Sequence, residues 1–414
     1  MGMAIIFKLL AYSGVWRPVS WSSRCKTVTY NLYSSFMMCI GISFTISHMI
    51  SALTVNNVDD FVENTYILTT AFFGCCKLTN ILIYRRRIIG LINVLLEEPC
   101  ATSNAEEVEI QMKYDKRIRN NTIQYAAMIE ISVATSICNS LLTDFANDRL
   151  MYKAWIPYNY SSTIAFGLTY AHQATSIVFL SIAHVVVDAL FCGLLMQICC
   201  QLDILGCRLN HVKTNGRAAL QNCARHHNNI FSLAKTINGT LNISIFSQFF
   251  GGFLVLCLSL FQLLKQDVLS SEFLATVFYL ISIMVQTFLY CWYGNEVKLK
   301  SVDLADTIFQ TDWTELDEDA KTILLIVMSR ANSAIQLESA HVMTVNIDFF
   351  VIVSNVHLHF SGLLKAPTRC ITCYKDLENR NERGERSADR RNIVNLRFRY
   401  PWLRAGPQPF QRNK

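Results

Sequence analysis

The sequence predicts an all-α membrane protein with seven transmembrane helices, a cytoplasmic N-terminus and an extracellular C-terminus. Three observations carry that prediction: a shortage of charge, seven long apolar runs, and an alternation of basic residues between the connections. Of the 414 residues, 52% are hydrophobic and only 16% are charged, where soluble chains average roughly 25% charged. The natural solvent of such a chain is lipid.

A helix needs about 20 apolar residues to cross a hydrocarbon core of roughly 30 Å. Runs of that length lie at Asn31–Val55, Phe61–Tyr84, Ile123–Thr143, Thr163–Gln201, Leu241–Leu264, Ser271–Tyr293 and His341–Leu364. The fourth is longer than a bilayer requires and carries Asp188 and Gln201 in its second half. That half is expected to continue as a helix into water or to pack inside protein. The expected organisation is a cytoplasmic N-terminal segment (1–30), six membrane helices holding a ligand pocket (31–293), cytoplasmic anchor helices (294–340), a seventh, pore-lining helix (341–365) and a basic disordered tail (366–414). No signal peptide is expected, because Arg17, Trp21 and Arg24 stand where a small-residue cleavage site belongs. Ile6 likewise breaks the myristoylation pattern of the Met-Gly start.

Orientation follows from where lysine and arginine collect, since basic residues are retained on the cytoplasmic side. The N-terminal stretch, the second connection (Arg85, Arg86, Arg87, Lys113, Lys116, Arg117, Arg119), the fourth (Arg208, Lys213, Arg217, Arg225) and the sixth (Lys298, Lys300, Lys321, Arg330) are basic. The third connection has only Arg149 and Lys153, and the first has neither lysine nor arginine. Asn159-Tyr160-Ser161 is then a glycosylation acceptor on the exterior, whereas the sequons at Asn120, Asn238 and Asn242 lie on or near the cytoplasmic side.

The 15 cysteines are scattered singly or as adjacent pairs, without the spacing of a disulfide framework or zinc site, and read as packing residues. Cys370 and Cys373 have metal spacing, but no second pair completes a ligand set. No nucleotide-binding loop, strand-turn-helix serine or His-Glu-x-x-His motif is present, so neither catalysis, a cofactor nor a metal is expected. The net charge of +6 comes largely from the region after Lys365 and accompanies no base-reading motif, which argues against a nucleic-acid partner.

In the third run, Ser132, Thr135, Ser136 and Asn139 fall at i, i+3, i+4 and i+7 and so share one helix face. Two readings fit: the polar wall of a small-molecule pocket, or interhelical hydrogen bonds between small polar residues. Tyr66, Thr69, Phe72 and Phe73 in the second run, with Phe166, Tyr170 and Gln173 in the fourth, add aromatic and polar groups suited to a ligand site. Glu130 and Asp188 are acids in or near apolar runs, expensive unless paired or in water. The lining of an ion route, a structural ion pair and a solvated helix face all fit them.

From the sixth run onward the order Phe288-Leu289-Tyr290-Cys291-Trp292-Tyr293-Gly294-Asn295-Glu296, then Ser301, Leu304-Ala305, Ile308-Phe309, Asp312-Trp313 and Leu324 to Ala331, resembles the C-terminal signature of the insect odorant receptors. Asp188-Ala189-Leu190-Phe191 with Gln197 and Gln201-Leu202 looks like the same family's fourth segment, and segment number and topology agree over Met1 to Lys365. The resemblance implies a four-subunit cation channel in which a tuning subunit of this kind pairs with an Orco-type coreceptor and binds a small volatile odorant in the membrane. It implies a subunit anchor carried by Tyr290, Trp292, Tyr293, Ala305, Phe309 and Trp313. It also implies a pore and gate at His357, Phe360, Ser361, Gly362, Leu363 and Leu364, where two histidines replace the family's usual tyrosines and Gly362 interrupts the gate stretch.

The related insect gustatory receptors share the architecture as homomers, but their Thr-Tyr and Gln-Phe pattern in the last helix is absent. Receptors coupled to G proteins would need the opposite orientation. The resemblance ends near Lys365, and the Arg-rich remainder reads as a disordered tail or as a gene-model extension such as an unspliced intron.

Overall fold

The computed structural model describes residues 2–18, 21–55, 57–266, 270–310, 316–339 and 343–355. Its elements are α1 (Ala4–Tyr12), α2 (Arg24–Thr54), α3 (Val58–Leu96), α4 (Ala105–Thr143), α5 (Thr163–Asn210), α6 (Val212–Phe246), α7 (Gly252–Leu263), α8 (Ser271–Gln310) and α9 (Glu318–Ala331). A two-residue antiparallel pair, β1 (Glu338–Ser339) and β2 (Met343–Thr344), precedes a final helical stretch at 347–355. Among the described residues, six helices are long and apolar enough to cross a membrane.

The helices outrun the apolar runs that announce them. α5 and α8 begin where hydropathy places them, at Thr163 and Ser271. α3, however, continues past Arg85-Arg86-Arg87 to Leu96, and α4 starts at Ala105, well before its apolar run. A helix satisfies its own backbone, so nothing compels it to stop where the lipid does. What fixes the start of α4 is an N-cap: Asn104 accepts a 2.8 Å bond from the Glu107 amide, while Glu107 accepts from the Ser103 amide at 2.8 Å. Ser162 and Asp317 cap α5 and α9 in the same way.

α5 is the central post, touching α1, α2, α3, α4, α6 and α8. Every residue from Val185 to Leu202 is buried, with apolar residues on all sides of the helix because protein surrounds it and with Asp188, Gln197 and Gln201 bonded inside the bundle. That resolves the fate of the long fourth run: its second half packs inside protein. At the opposite end α4, α5 and α6 are tied to the 97–104 connection by Arg208. Its guanidinium meets Glu107 at 2.8 and 3.0 Å, the carbonyls of Pro99 and Ala101 at 2.5 and 2.7 Å, and His226 Nδ1 at 3.3 Å. Cys100 is buried in that connection, and burial pushes its thiol up to about 11, the behaviour of a packing cysteine. His226 and His227 point to different partners, Gln201 and the ring of Phe231.

The Tyr-Gly-Asn-Glu sequence of α8 is explained by close packing. A Cβ on Gly294 would collide with the Val345 carbonyl oxygen. Two residues on, Glu296 takes a forked pair of bonds from Arg117 of α4 at 2.6 and 2.9 Å. Arg117 also lies over the Tyr293 ring, whose hydroxyl is bonded by Asn121.

Candidate ligand cavity and the buried charge cluster

Between α2, α3, α4, α5, α7 and α8 lies a cavity of about 980 Å³. The connection between α4 and α5 forms a strap along one side of it, contributing Asp148 through Ala154. The strap is held by side chains: Gln173 of α5 accepts from the Tyr152 amide at 3.2 Å and donates to its carbonyl at 2.9 Å, Ser47 donates to the Trp155 carbonyl, and Tyr158 bonds Thr169 at 2.8 Å. The cavity wall mixes apolar groups such as Phe44, Ile67, Ile129, Leu180 and Ile283 with hydroxyls and amides.

Of the residues expected to bind a ligand, Tyr66, Ser132, Ser136 and Asn139 line this cavity. Thr135, between them in sequence, spends its hydroxyl on the Ile131 carbonyl at 2.8 Å and is not in the wall. Thr69 is buried with its hydroxyl on the Thr65 carbonyl; its neighbour Thr70 reaches the cavity instead. Phe72 is 50% exposed on the outer surface of the bundle. Phe73 seats on Gly251, where a Cβ would lie 2.5 Å from its ring, and edges onto Phe250. Phe166 and Tyr170 pack with Phe145 and Met151 in a separate small cluster, the Tyr170 hydroxyl donating to Ser140 at 3.0 Å. Gln173 is the clasp of the strap.

The inner end of the cavity rests on a charge cluster that sequence reasoning only half anticipated. Asp188 of α5 and Lys77 of α3 form an ion pair at 2.7 Å, their side chains 2% and 1% exposed. The same Oδ1 accepts from Tyr290 at 2.7 Å; Oδ2 accepts from Tyr125 at 2.9 Å and from Gln286. Lys77 donates a second bond, 2.5 Å, to Gln248 in the π-helical turn Ser247–Gly251 between α6 and α7. Asp188 is therefore a saturated structural partner, which selects the structural ion pair among the readings its position left open. Lys77 carries a signal of its own, since a lysine inside an apolar helix demands an acid, but the sequence offers two acids in or near apolar runs, Glu130 and Asp188, and does not choose between them. Glu130 accepts a 3.0 Å bond from Ser181.

Tyr125 and Gln286 both line the cavity and touch Asp188. From there contacts continue outward: Tyr290 stacks on Phe191 and meets Phe249 edge-on, and Phe249 meets Phe349 of the last helix at 4.9 Å. Tyr290 thus belongs to this cluster. Tyr293 and Ala305 are buried within the chain, whereas Trp292 is 46% and Phe309 69% exposed. Trp313 and the gate positions His357, Phe360, Ser361, Gly362, Leu363 and Leu364 lie outside the described residues. Asn159 is exposed on the strap, its Oδ1 bonded by the Ser161 amide and hydroxyl at 2.9 and 2.6 Å.

A multi-span helical bundle around an enclosed cavity, closed at one end by a neutralised ion pair, fits a membrane receptor. The family model described as 7tm Odorant receptor matches residues 57–357, and the chain belongs to that family. It is similar to odorant receptor 46a, isoform A, of Drosophila melanogaster, 25% identical over 74% of this chain and 83% of that one. It also matches the odorant receptor coreceptor of Aedes aegypti, 26% identical over 33% of this chain and 29% of the coreceptor. In fold it is similar to the insect olfactory receptor OR5 of Machilis hrabei, solved in complex with eugenol. The TM-score is 0.76 at 18% identity, covering 88% of this chain and 97% of that one.

Proposed function

We propose that this chain is the odour-binding subunit of a heteromeric, ligand-gated, non-selective cation channel formed with an Orco-type coreceptor, serving the sense of smell. The observation that carries the reading is the cavity: about 980 Å³, walled by apolar and hydrogen-bonding groups from six helices, within the range of sites that take small apolar ligands. The ligand is a small volatile odorant. Its binding favours the open channel insofar as its contacts differ between the closed and open states. The chain of contacts from Gln286 through Asp188 and Tyr290 to Phe249 and Phe349 supplies a physical route for that coupling.

The segment 294–340 is proposed as the cytoplasmic anchor between four subunits, supported by Leu299, Val302, Phe309, Leu325 and Ile326, large apolar side chains left exposed by this chain alone. The segment 341–365 is proposed to line the pore. The protein is placed in the plasma membrane of olfactory neuron dendrites, surrounded by lipid, with its N-terminus cytoplasmic and C-terminus extracellular. The test is odorant-evoked current in cells expressing this chain with and without an insect coreceptor. Rapid currents that need both chains are expected. Current from this chain alone would favour a homomer of the gustatory-receptor type, and silence of surface-expressed protein across a broad volatile panel would overturn the proposal.

The orientation makes its own prediction. Asn159→Gln is expected to abolish the mobility shift produced by endoglycosidase, whereas Asn120→Gln, Asn238→Gln and Asn242→Gln leave it intact. The opposite pattern would invert the topology.

A further inference from the structure

We infer that Glu106, Cys207 and His211 form a binding site for a zinc-class divalent cation, at the end of the bundle where Arg208 ties α4 to α5. The site is separate from the ligand cavity and does not depend on what the cavity binds. Its three side chains bring a carboxylate oxygen, a thiol sulfur and an imidazole nitrogen within 4.8 Å of one another.

Helical spacing supplies two of the ligands. Cys207 lies in the last turn of α5 and His211 is the residue that joins α5 to α6, so an i, i+4 pair projects from one face. The helix also orients the imidazole, whose Nδ1 is 2.9 Å from the Cys207 carbonyl oxygen. A carbonyl can only accept, so the ring hydrogen sits on Nδ1 and the neutral ring turns the lone pair of Nε2 away from its own backbone. A metal-ligating histidine is held in this manner, one nitrogen fixed by a carbonyl and the other directed at the ion.

Glu106, in the first turn of α4, supplies the third ligand. One of its carboxylate oxygens lies 3.8 Å from His211 Nε2, and the carboxylate also accepts a hydrogen bond from the Cys207 thiol. A tetrahedral zinc ion holds its ligand atoms about 3.3–3.8 Å apart, so the Nε2 to carboxylate separation already fits an edge of that figure. Glu106 and His211 are 59% and 56% exposed and have room to close the remaining distance, while burial fixes Cys207. Nothing in the sequence marks the site, because Glu106 arrives only when α4 packs on α5.

Binding breaks the S–H bond of Cys207, forms bonds from zinc to sulfur, nitrogen and oxygen, and releases the proton to water. Thiolate and carboxylate together offset the double positive charge, and water completes the fourth position. A mixed sulfur, nitrogen and oxygen set suits zinc or cobalt, whereas magnesium and calcium take oxygen ligands. The adjacent cation, Arg208, is turned to Glu107 and to the carbonyls of Pro99 and Ala101, so its charge is already offset. In the proposed orientation this end is cytoplasmic, where thiols stay reduced.

The experiment titrates the purified full chain with Co2+, Zn2+ and Mg2+. Co2+ is expected to produce a thiolate-to-cobalt charge-transfer band in the near ultraviolet, and Zn2+ to displace it and raise the thermal midpoint; Mg2+ should do neither. Cys207→Ser is expected to lose the band. His211→Gln and Glu106→Gln, both at exposed positions that the fold tolerates, should weaken zinc binding by about tenfold or more. A Cys370→Ser, Cys373→Ser double variant should keep the band. Absence of the band in the folded parent, its survival in Cys207→Ser, or zinc affinity unchanged in His211→Gln would each overturn the inference.

Discussion

Asp188→Asn is expected to remove most of the protein from the cell surface and to lower the thermal stability of what can be purified, the largest effect of any single substitution in the bundle. The change keeps the shape of the side chain and deletes its charge, leaving the Lys77 ammonium, 1% exposed, with no counter-ion. Breaking a buried ion pair from one side costs about 3–5 kcal/mol, a large share of the roughly 5–15 kcal/mol by which folded domains are stable. The converse substitution, Lys77→Met, is expected to be milder. The carboxylate it strands still accepts from Tyr125, Tyr290 and Gln286. Combining the two should recover stability relative to Asp188→Asn alone, because the double variant buries no net charge. Surface biotinylation and thermal unfolding of the purified variants would check the order. If Asp188→Asn proved as stable as the parent, the pair would not be the structural tie its burial describes.

Arg208→Ala is expected to be nearly as damaging, by about 3 kcal/mol or more, because it leaves the Glu107 carboxylate, 2% exposed, without its cation. Arg208→Lys should rescue little: a lysine is a point charge and cannot bond both carboxylate oxygens and the Pro99 and Ala101 carbonyls together. The damage should be local before it is global. Hydrogen exchange over residues 97–104 is expected to accelerate in Arg208→Lys while the amides of α5 between Val185 and Leu202 stay protected. Uniform acceleration through α5 would show instead that Arg208 supports the central post directly. The basic residues of the fourth connection, counted in the sequence only as indicators of orientation, thus include one that is a structural fastener.

The sequence by itself determined the all-helical, multi-span class, the starts of α5 and α8, and the packing role of those cysteines that are buried and free, Cys192, Cys199 and Cys200 among them, though Cys25, Cys39 and Cys138 are exposed. These are properties of distance along the chain and of hydropathy, and the thickness of a bilayer is likewise a single length that a run of residues either spans or does not. What only the tertiary structure decided is how each helix is turned about its axis. In a membrane both the lipid-facing and the protein-facing sides are apolar, so the stripe that orients a soluble helix is weak or missing. Phe72 therefore looked as good a cavity residue as Tyr66, yet one faces outward and the other lines the wall. The polar stripe of α4 was the instructive middle case. Its period put Ser132, Ser136 and Asn139 on one face correctly, but the same period admitted Thr135, which the cavity does not use. Lys77 and Asp188, separated by 111 positions, meet only because α3 and α5 pack side by side. Burial away from solvent then makes that meeting obligatory, since neither charge is tolerated at that depth alone.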